Sequence, residues 1–213
     1  MNKSRAHIVT FPRSGHHILV GLLDTFCYAN NEYCEFYTCS DADGNKIDCP
    51  SSGLDWTRKN NLCGAGKRIT KTHEFDLSLP FVEERKYLVQ LRNPVLSVSS
   101  WYELEKSTGG LTQSYEEFID DKMNFWESFA TKWYQYFEKE NVLYAPYNSL
   151  SSKPKLDEIA DFLQLERKPS SSYSPDYFSP KRRTIENALE IFREKETKIS
   201  DLLTELDLEK VCS

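Results

Sequence analysis

The order of apolar runs in this chain predicts one α/β domain, with a central, mostly parallel sheet flanked by helices. Three observations lead to that expectation. Short apolar, β-branched runs alternate with longer segments whose apolar residues recur every three or four positions, a pattern that builds a parallel sheet covered on both faces. Two of the runs pass through a tight turn straight into a helical pattern. At 213 residues, with 39% hydrophobic and 13% aromatic residues, the chain can bury one packed core.

Ala6 to Phe11 (AHIVTF) reads as the first strand, Pro12 to His17 as a turn, and ILVGLLDTF as the helix that follows. Residues 30–65 are rich in Asn, Asp, Ser, Gly and Cys without periodicity, and read as an irregular insertion. It is unusually long for a structureless connection, and is therefore expected to be either functional or mobile. Arg68 to Thr72 reads as a second strand and Tyr87 to Leu91 as a third, ended by Arg92-Asn93-Pro94. Pro94 suits the first position of a helix running to about Lys106. Residues 115–140 place Phe118, Ile119, Phe125, Trp126, Phe129, Trp133 and Phe137 at helical spacing, in one long helix or two, and this stripe reads as core. Asn141 to Ala145 is a fourth strand and Leu156 to Leu163 a helix. A last helix spans 184–207, with Ile185, Leu189, Phe192, Ile199, Leu202 and Leu206 along one side, facing the core or a partner. There is no internal repeat, so one domain over residues 1–213 is expected, of open oligomeric state.

A formal net charge of -6 excludes broad binding to nucleic acid or anionic membranes, so any anionic ligand needs a local cationic cluster. No apolar run approaches the roughly 18 residues of a membrane span, and an apolar strand begins almost at once, leaving no room for a signal peptide. A cytoplasmic protein is expected. Cys34, Cys39, Cys49 and Cys63 crowd the insertion, flanked by Cys27 and Cys212. They contain no CxxC pair and no histidine lies among them, so free thiols are expected and no metal site.

The chemistry begins at the first turn. A helix N-terminus presents unpaired N–H groups and a positive dipole end to a phosphate, Gly15 permits close approach, and Arg13 adds a cationic fork. The turn is not a Walker A loop, because the lysine and the magnesium-binding hydroxyl of GxxxxGK[ST] are missing at that spacing.

Four separated segments then resemble one family, the sulfotransferases that use 3′-phosphoadenosine-5′-phosphosulfate (PAPS) and have a P-loop NTPase-like α/β fold. TFPRSGHH (Thr10 to His17) is similar to the family's YP[KR]SGTT loop, and Lys71-Thr72-His73 to its KTH. RNPVLSVSSWY (Arg92 to Tyr102) is similar to RNPxDxxxSxY, and VLYAPYNSL followed by IADFLQL to the "YEDL…FL" stretch. The resemblance spans residues 8 to about 165, with the segments in the family's order.

It implies that Arg13, Ser14, Gly15, His16 and His17 hold the 5′-phosphosulfate, Arg92 and Ser100 the 3′-phosphate, and Tyr147 the nucleoside. His73 would be the general base toward a hydroxyl acceptor, a small molecule or glycan, with Lys71 beside it on the sulfuryl oxygens and Arg13 stabilising the leaving phosphate. The product would be 3′,5′-adenosine bisphosphate (PAP), formed without a metal. Ser100 lies eight positions after Arg92, two helical turns in, so the two reach one phosphate from different sides.

The departures are specific. His16 and His17 replace hydroxyl residues, Ile18 stands where a tryptophan often meets the adenine, and Arg13 replaces a lysine. The family's RKGxxGDW is missing; the nearest basic stretch, Lys181 to Arg183, reaches the 3′-phosphate or merely starts a solvated helix. Two other classes stand beside this reading. A small-molecule kinase would need magnesium and ATP, and a non-catalytic nucleotide-binding protein would bind PAP without transfer.

Overall fold

A computed structural model of the chain describes residues 4–29, 32–35, 38–40, 46–48, 63, 67–169 and 189–208, with 38–40, 46–48 and 189–190 described by backbone alone. The strands are β1 (Ala6–Thr10), β2 (Tyr33–Cys34), β3 (Thr38–Ser40), β4 (Lys46–Asp48), β5 (Ile69–Thr72), β6 (Lys86–Gln90) and β7 (Val142–Tyr144). The helices are α1 (His16–Phe26), α2 (Pro94–Thr108), α3 (Tyr115–Tyr134), α4 (Lys153–Phe162), α5 (Leu189–Lys198) and α6 (Ser200–Glu205), with a 3-10 turn at Tyr147–Ser151. Five strands form one sheet in the order β2-β5-β1-β6-β7, every pairing parallel. The expected α/β domain is the observed one.

Side-chain alternation along the strands feeds two cores. On one face Val9, Tyr87 and Val89 pack with α2, α3, α5 and α6; on the other Ala6, Ile8 and Leu88 pack with α1 and α4. The aromatic stripe of α3 is core, with Trp126, Phe129 and Trp133 wholly buried. That helix starts at a capping box, Ser114 with Glu117, and ends at Tyr134, so the segment to residue 140 is one helix followed by turns. Asn93 caps α2 by accepting from the Val95 N–H at 3.0 Å, and Pro94 takes the first helical position.

Two expectations need correction. The segment at 30–65 is not wholly irregular. Tyr33–Cys34 pairs with Ile69–Thr70 at the sheet edge, and Thr38–Ser40 pairs antiparallel with Lys46–Asp48. Two or three residues carry too little period for a strand to be read from sequence. The last helix is interrupted, because Ile199 leaves helical geometry and divides it into α5 and α6. Phe192, Ile199, Leu203 and Leu206 all enter the core, with Leu202 partly buried against it, so this apolar side faces the core. Residues 184–188 and Lys181 to Arg183 lie outside the described residues. Among the described residues no helix is long and apolar enough to cross a membrane. Cys27, Cys34 and Cys63 are buried; the side chains of Cys39, Cys49 and Cys212 are outside the described residues.

Candidate functional site

The parallel strands end together on one edge of the sheet, the edge where open α/β folds place their ligands. A cleft of about 560 Å³ opens there. It is lined by Arg13, Gly15, His16, His17, Lys71, His73, Arg92, Ser100 and Tyr147, so nine of the ten residues singled out from the sequence meet in one place. The tenth, Ser14, is fully buried behind them.

The turn after β1 is shaped by two left-handed residues, Arg13 at φ 64° and Gly15 at φ 88°. Ser14 is fixed between them, its N–H donating to the Phe11 carbonyl at 3.2 Å and its own carbonyl accepting from Gln90 Nε2 at 2.9 Å. Helix α1 then begins without a side-chain cap and without an acidic residue in its first turn, so nothing in its own sequence offsets its positive end. Gly15 is needed for space as well as for φ, since a Cβ there would lie 2.4 Å from two ring carbons of Tyr147. The Arg92 guanidinium sits over the same ring, 4.4 Å from its centroid. Arg92 is placed by the end of β6, where its carbonyl accepts from Trp126 Nε1 at 3.1 Å. Arg13 Nε donates to Ser100 Oγ at 3.1 Å, tying the first turn to α2.

His73 follows β5 directly. Its Nδ1 lies 2.8 Å from the Thr10 carbonyl oxygen. Nδ1 also lies 3.1 Å from Thr10 Oγ1, which can donate or accept; the closer carbonyl only accepts, which favours the neutral tautomer with the proton on Nδ1 and the lone pair on Nε2. Burial pushes the His73 pKa down to about 4, and neighbouring Lys71 pushes the same way. Burial also lowers the Lys71 ammonium, against the opposing pull of Glu35.

The two histidines of the turn are separated by environment. His16 is buried, with Nε2 bonded to the Tyr33 hydroxyl, and its pKa lies well below 6.5 because of that burial and the cations around it. His17 is exposed, its Nδ1 3.4 Å from Glu35 Oε1. The hydrogen bond from His17 is the main cause that lowers the Glu35 carboxyl. Sequence reading missed Tyr33 and Glu35, which sit on and just after the unrecognised strand β2. It also missed Phe75, Trp101, Leu104 and Glu105, which complete the cleft wall.

Two buried polar atoms of the cleft residues, His16 Nδ1 and Arg92 Nε, have no hydrogen-bond partner among the described residues, and neither does Ser14 Oγ behind them. Buried polar atoms are normally satisfied, so this cluster fits a polar, anionic ligand. Among the described residues no group of three or more His, Cys, Asp or Glu side chains is arranged to hold a metal ion.

The sulfotransferase domain model matches residues 3–196 of the chain. A search of curated proteins gives no match by sequence. Solved structures that share the fold include mouse sulfotransferase SULT7A1 complexed with PAP, at 17% identity and a TM-score of 0.59, over 97% of this chain and 84% of that one. A sulfotransferase from Alicyclobacillus acidocaldarius aligns at 16% identity and a TM-score of 0.52, over 97% and 95% of the two chains. Retinol dehydratase in a complex with retinol and PAP aligns at 16% identity and 0.55, over 99% and 84%. With the family model covering nearly the whole chain, on a parallel sheet with P-loop NTPase-like architecture, the chain belongs to the sulfotransferase domain family and is an enzyme of sulfuryl transfer.

Proposed function

We propose that this protein transfers the sulfuryl group of PAPS to a hydroxyl of a small-molecule or glycan acceptor, with His73 as general base. The observation that carries this reading is the tethering of His73 Nδ1 to the Thr10 carbonyl at 2.8 Å, which leaves Nε2 as a proton acceptor in the same cleft as the uncapped start of α1. A ring with a pKa near 4 is neutral at physiological pH, so its Nε2 is unprotonated.

In this scheme the turn amides, with Arg13, Ser14, Gly15, His16 and His17, hold the 5′-phosphosulfate. The unpartnered His16 Nδ1 in the cleft wall supports that placement. Arg92 and Ser100 hold the 3′-phosphate, and Tyr147 lines the nucleoside pocket. The contact between Arg13 and Ser100 supports a continuous cationic path between the two phosphate sites. His73 Nε2 takes the proton of the acceptor hydroxyl as its oxygen bonds to sulfur. The bond from sulfur to the 5′-phosphate oxygen breaks, and PAP leaves with that electron pair. Arg13 and the turn amides stabilise charge on the leaving phosphate, and Lys71 holds the sulfuryl oxygens. Such displacement is catalysed by positioning and charge stabilisation. Phe75, Trp101 and Leu104 make part of the cleft wall apolar, which supports an acceptor with an apolar body. Retinol dehydratase, which shares the fold, has been captured with retinol and with androsterone.

The test separates chemistry from binding. PAP should stabilise the protein without added metal, and ATP with magnesium should not. His73→Asn should lower transfer by roughly 10²–10⁴-fold while PAP affinity stays near native. Near-native turnover in His73→Asn, or a large loss only in His16 or His17 variants, would move the base elsewhere.

A further inference from the structure

The residue after the proposed base has its own buried network, on the side of the chain turned away from the cleft. Glu74 is a carboxylate whose side chain is only 1% exposed. Oε2 accepts from Trp133 Nε1 at 2.6 Å, and Oε1 from the Leu79 N–H at 3.0 Å and from Lys132 Nζ. Lys132 Nζ also donates to the carbonyls of Leu77 and Leu79, each at 2.9 Å. The Glu74 N–H donates to Thr72 Oγ1 at 3.0 Å, and its carbonyl accepts from the Leu77 N–H at 3.0 Å. One carboxylate and one ammonium thus stitch the whole turn from 74 to 79 onto α3.

Backbone geometry says what this network holds. Glu74 adopts φ 49° and Leu77 φ 52°, a left-handed region that non-glycine residues enter at a cost, so surrounding contacts must impose it. His73 and Phe75 fall on one side of the chain with Glu74 on the other. Their rings lie 5.5 Å apart and both line the cleft. Phe75 stays 59% exposed, leaning on Trp101 at 5.9 Å and Phe125 at 6.3 Å. An exposed aromatic ring beside a proposed base is poorly explained by core packing. A buried ion pair is likewise weak grounds for stability, because apolar residues of similar volume often serve as well or better.

We propose that Glu74 is a positioning residue: through Lys132, Trp133 and the Leu79 amide it locks the turn after β5, so that His73 keeps its single tautomer and Phe75 forms the acceptor-side wall. This rests on the sulfotransferase reading above for its function, but not for its test. Burial raises the Glu74 carboxyl and Lys132 opposes that rise. Asp is one methylene short for this network, and Gln offers an amide N–H₂ where donors already point.

The experiment uses the full chain labelled with ¹⁵N at histidine, with PAP as the probe ligand. Long-range ¹⁵N spectra of the native protein should show His73 with its proton on Nδ1 and slow exchange of that proton. In Glu74→Gln the exchange should quicken by roughly tenfold or more, from loss of buried hydrogen bonds, and the other tautomer should appear. Trp133→Phe removes one donor while keeping apolar bulk, should fold even where Glu74→Gln does not, and should move the same signal in the same direction. Unchanged His73 tautomer and exchange in either folded variant would overturn the proposal, even if melting temperature falls, since that would be a purely structural role. PAP titration of the native protein and the variants runs beside it. Failure of PAP to bind the native protein would sink the sulfotransferase site reading alone, leaving the His73 signal to decide Glu74.

Discussion

Replacing Gly15 by alanine tests whether the first turn, Tyr147 and Arg92 act as one unit. At φ 88° a side chain costs roughly 1–2 kcal/mol in backbone strain. The added Cβ would also lie 2.4 Å from Cδ2 and Cε2 of Tyr147, well inside van der Waals contact. The ring cannot simply swing away, because its backbone N–H is bonded to the Leu91 carbonyl at 2.8 Å and Arg92 lies over its face. Overpacking of this kind costs roughly 1–3 kcal/mol, so a total loss of about 2–5 kcal/mol is expected. With a urea slope of about 2 kcal/mol/M, the middle of the usual range, the unfolding midpoint should fall by roughly 1–2.5 M. If the turn and Arg92 serve the nucleotide as proposed, PAP affinity of the remaining folded protein should drop by about tenfold or more, because Arg92 moves with the ring. An unchanged midpoint together with an unchanged PAP isotherm would mean that the turn, Tyr147 and Arg92 do not act as one unit.

Arg92→Ala should weaken PAP binding by roughly 2–5 kcal/mol, and the native protein should bind adenosine 5′-phosphosulfate, which lacks the 3′-phosphate, much less well; equal affinity for the two nucleotides would remove Arg92 and Ser100 from that role. Acidification supplies a stability test. His7 and His73 both titrate near 4 in the folded protein and near 6.5 unfolded, so the unfolded state binds more protons in between and stability falls as pH drops from about 6.5 toward 4. Unfolding free energies at pH 7 and pH 5 should differ by about 2 kcal/mol for each histidine, and a rise in stability on acidification would contradict it. The same His73 value predicts that kcat/KM, which reports the free enzyme, keeps its plateau below pH 6 and loses activity only near 4–5; an acid limb centred at 6.5 would point to a solvated histidine instead.

Sequence alone was enough for the α/β class, the four longer sheet strands and the main helices. The reason is that a strand such as Tyr87 to Leu91, or the stripe from Phe118 to Trp133, writes its burial into local periodicity. The residues around the cleft were legible for two different reasons. Arg13 and Gly15 at the strand-to-helix turn and Arg92 at a strand end follow from local turn chemistry, whereas His73, Ser100 and Tyr147 were legible only through the resemblance of their segments to the sulfotransferase motifs. Tertiary structure decided what depends on partners distant in sequence. Strand β2 exists because Ile69 and Thr70 offer it an edge, and it brings Tyr33 and Glu35 to His16 and His17. The Arg13 to Ser100 contact spans 87 positions, and the Glu74 network joins β5 to α3 across 58 and 59. Local pattern specifies which face of an element is buried, but hydrogen-bond partners, tautomers and shifted pKa values are set by whatever the fold packs against that element.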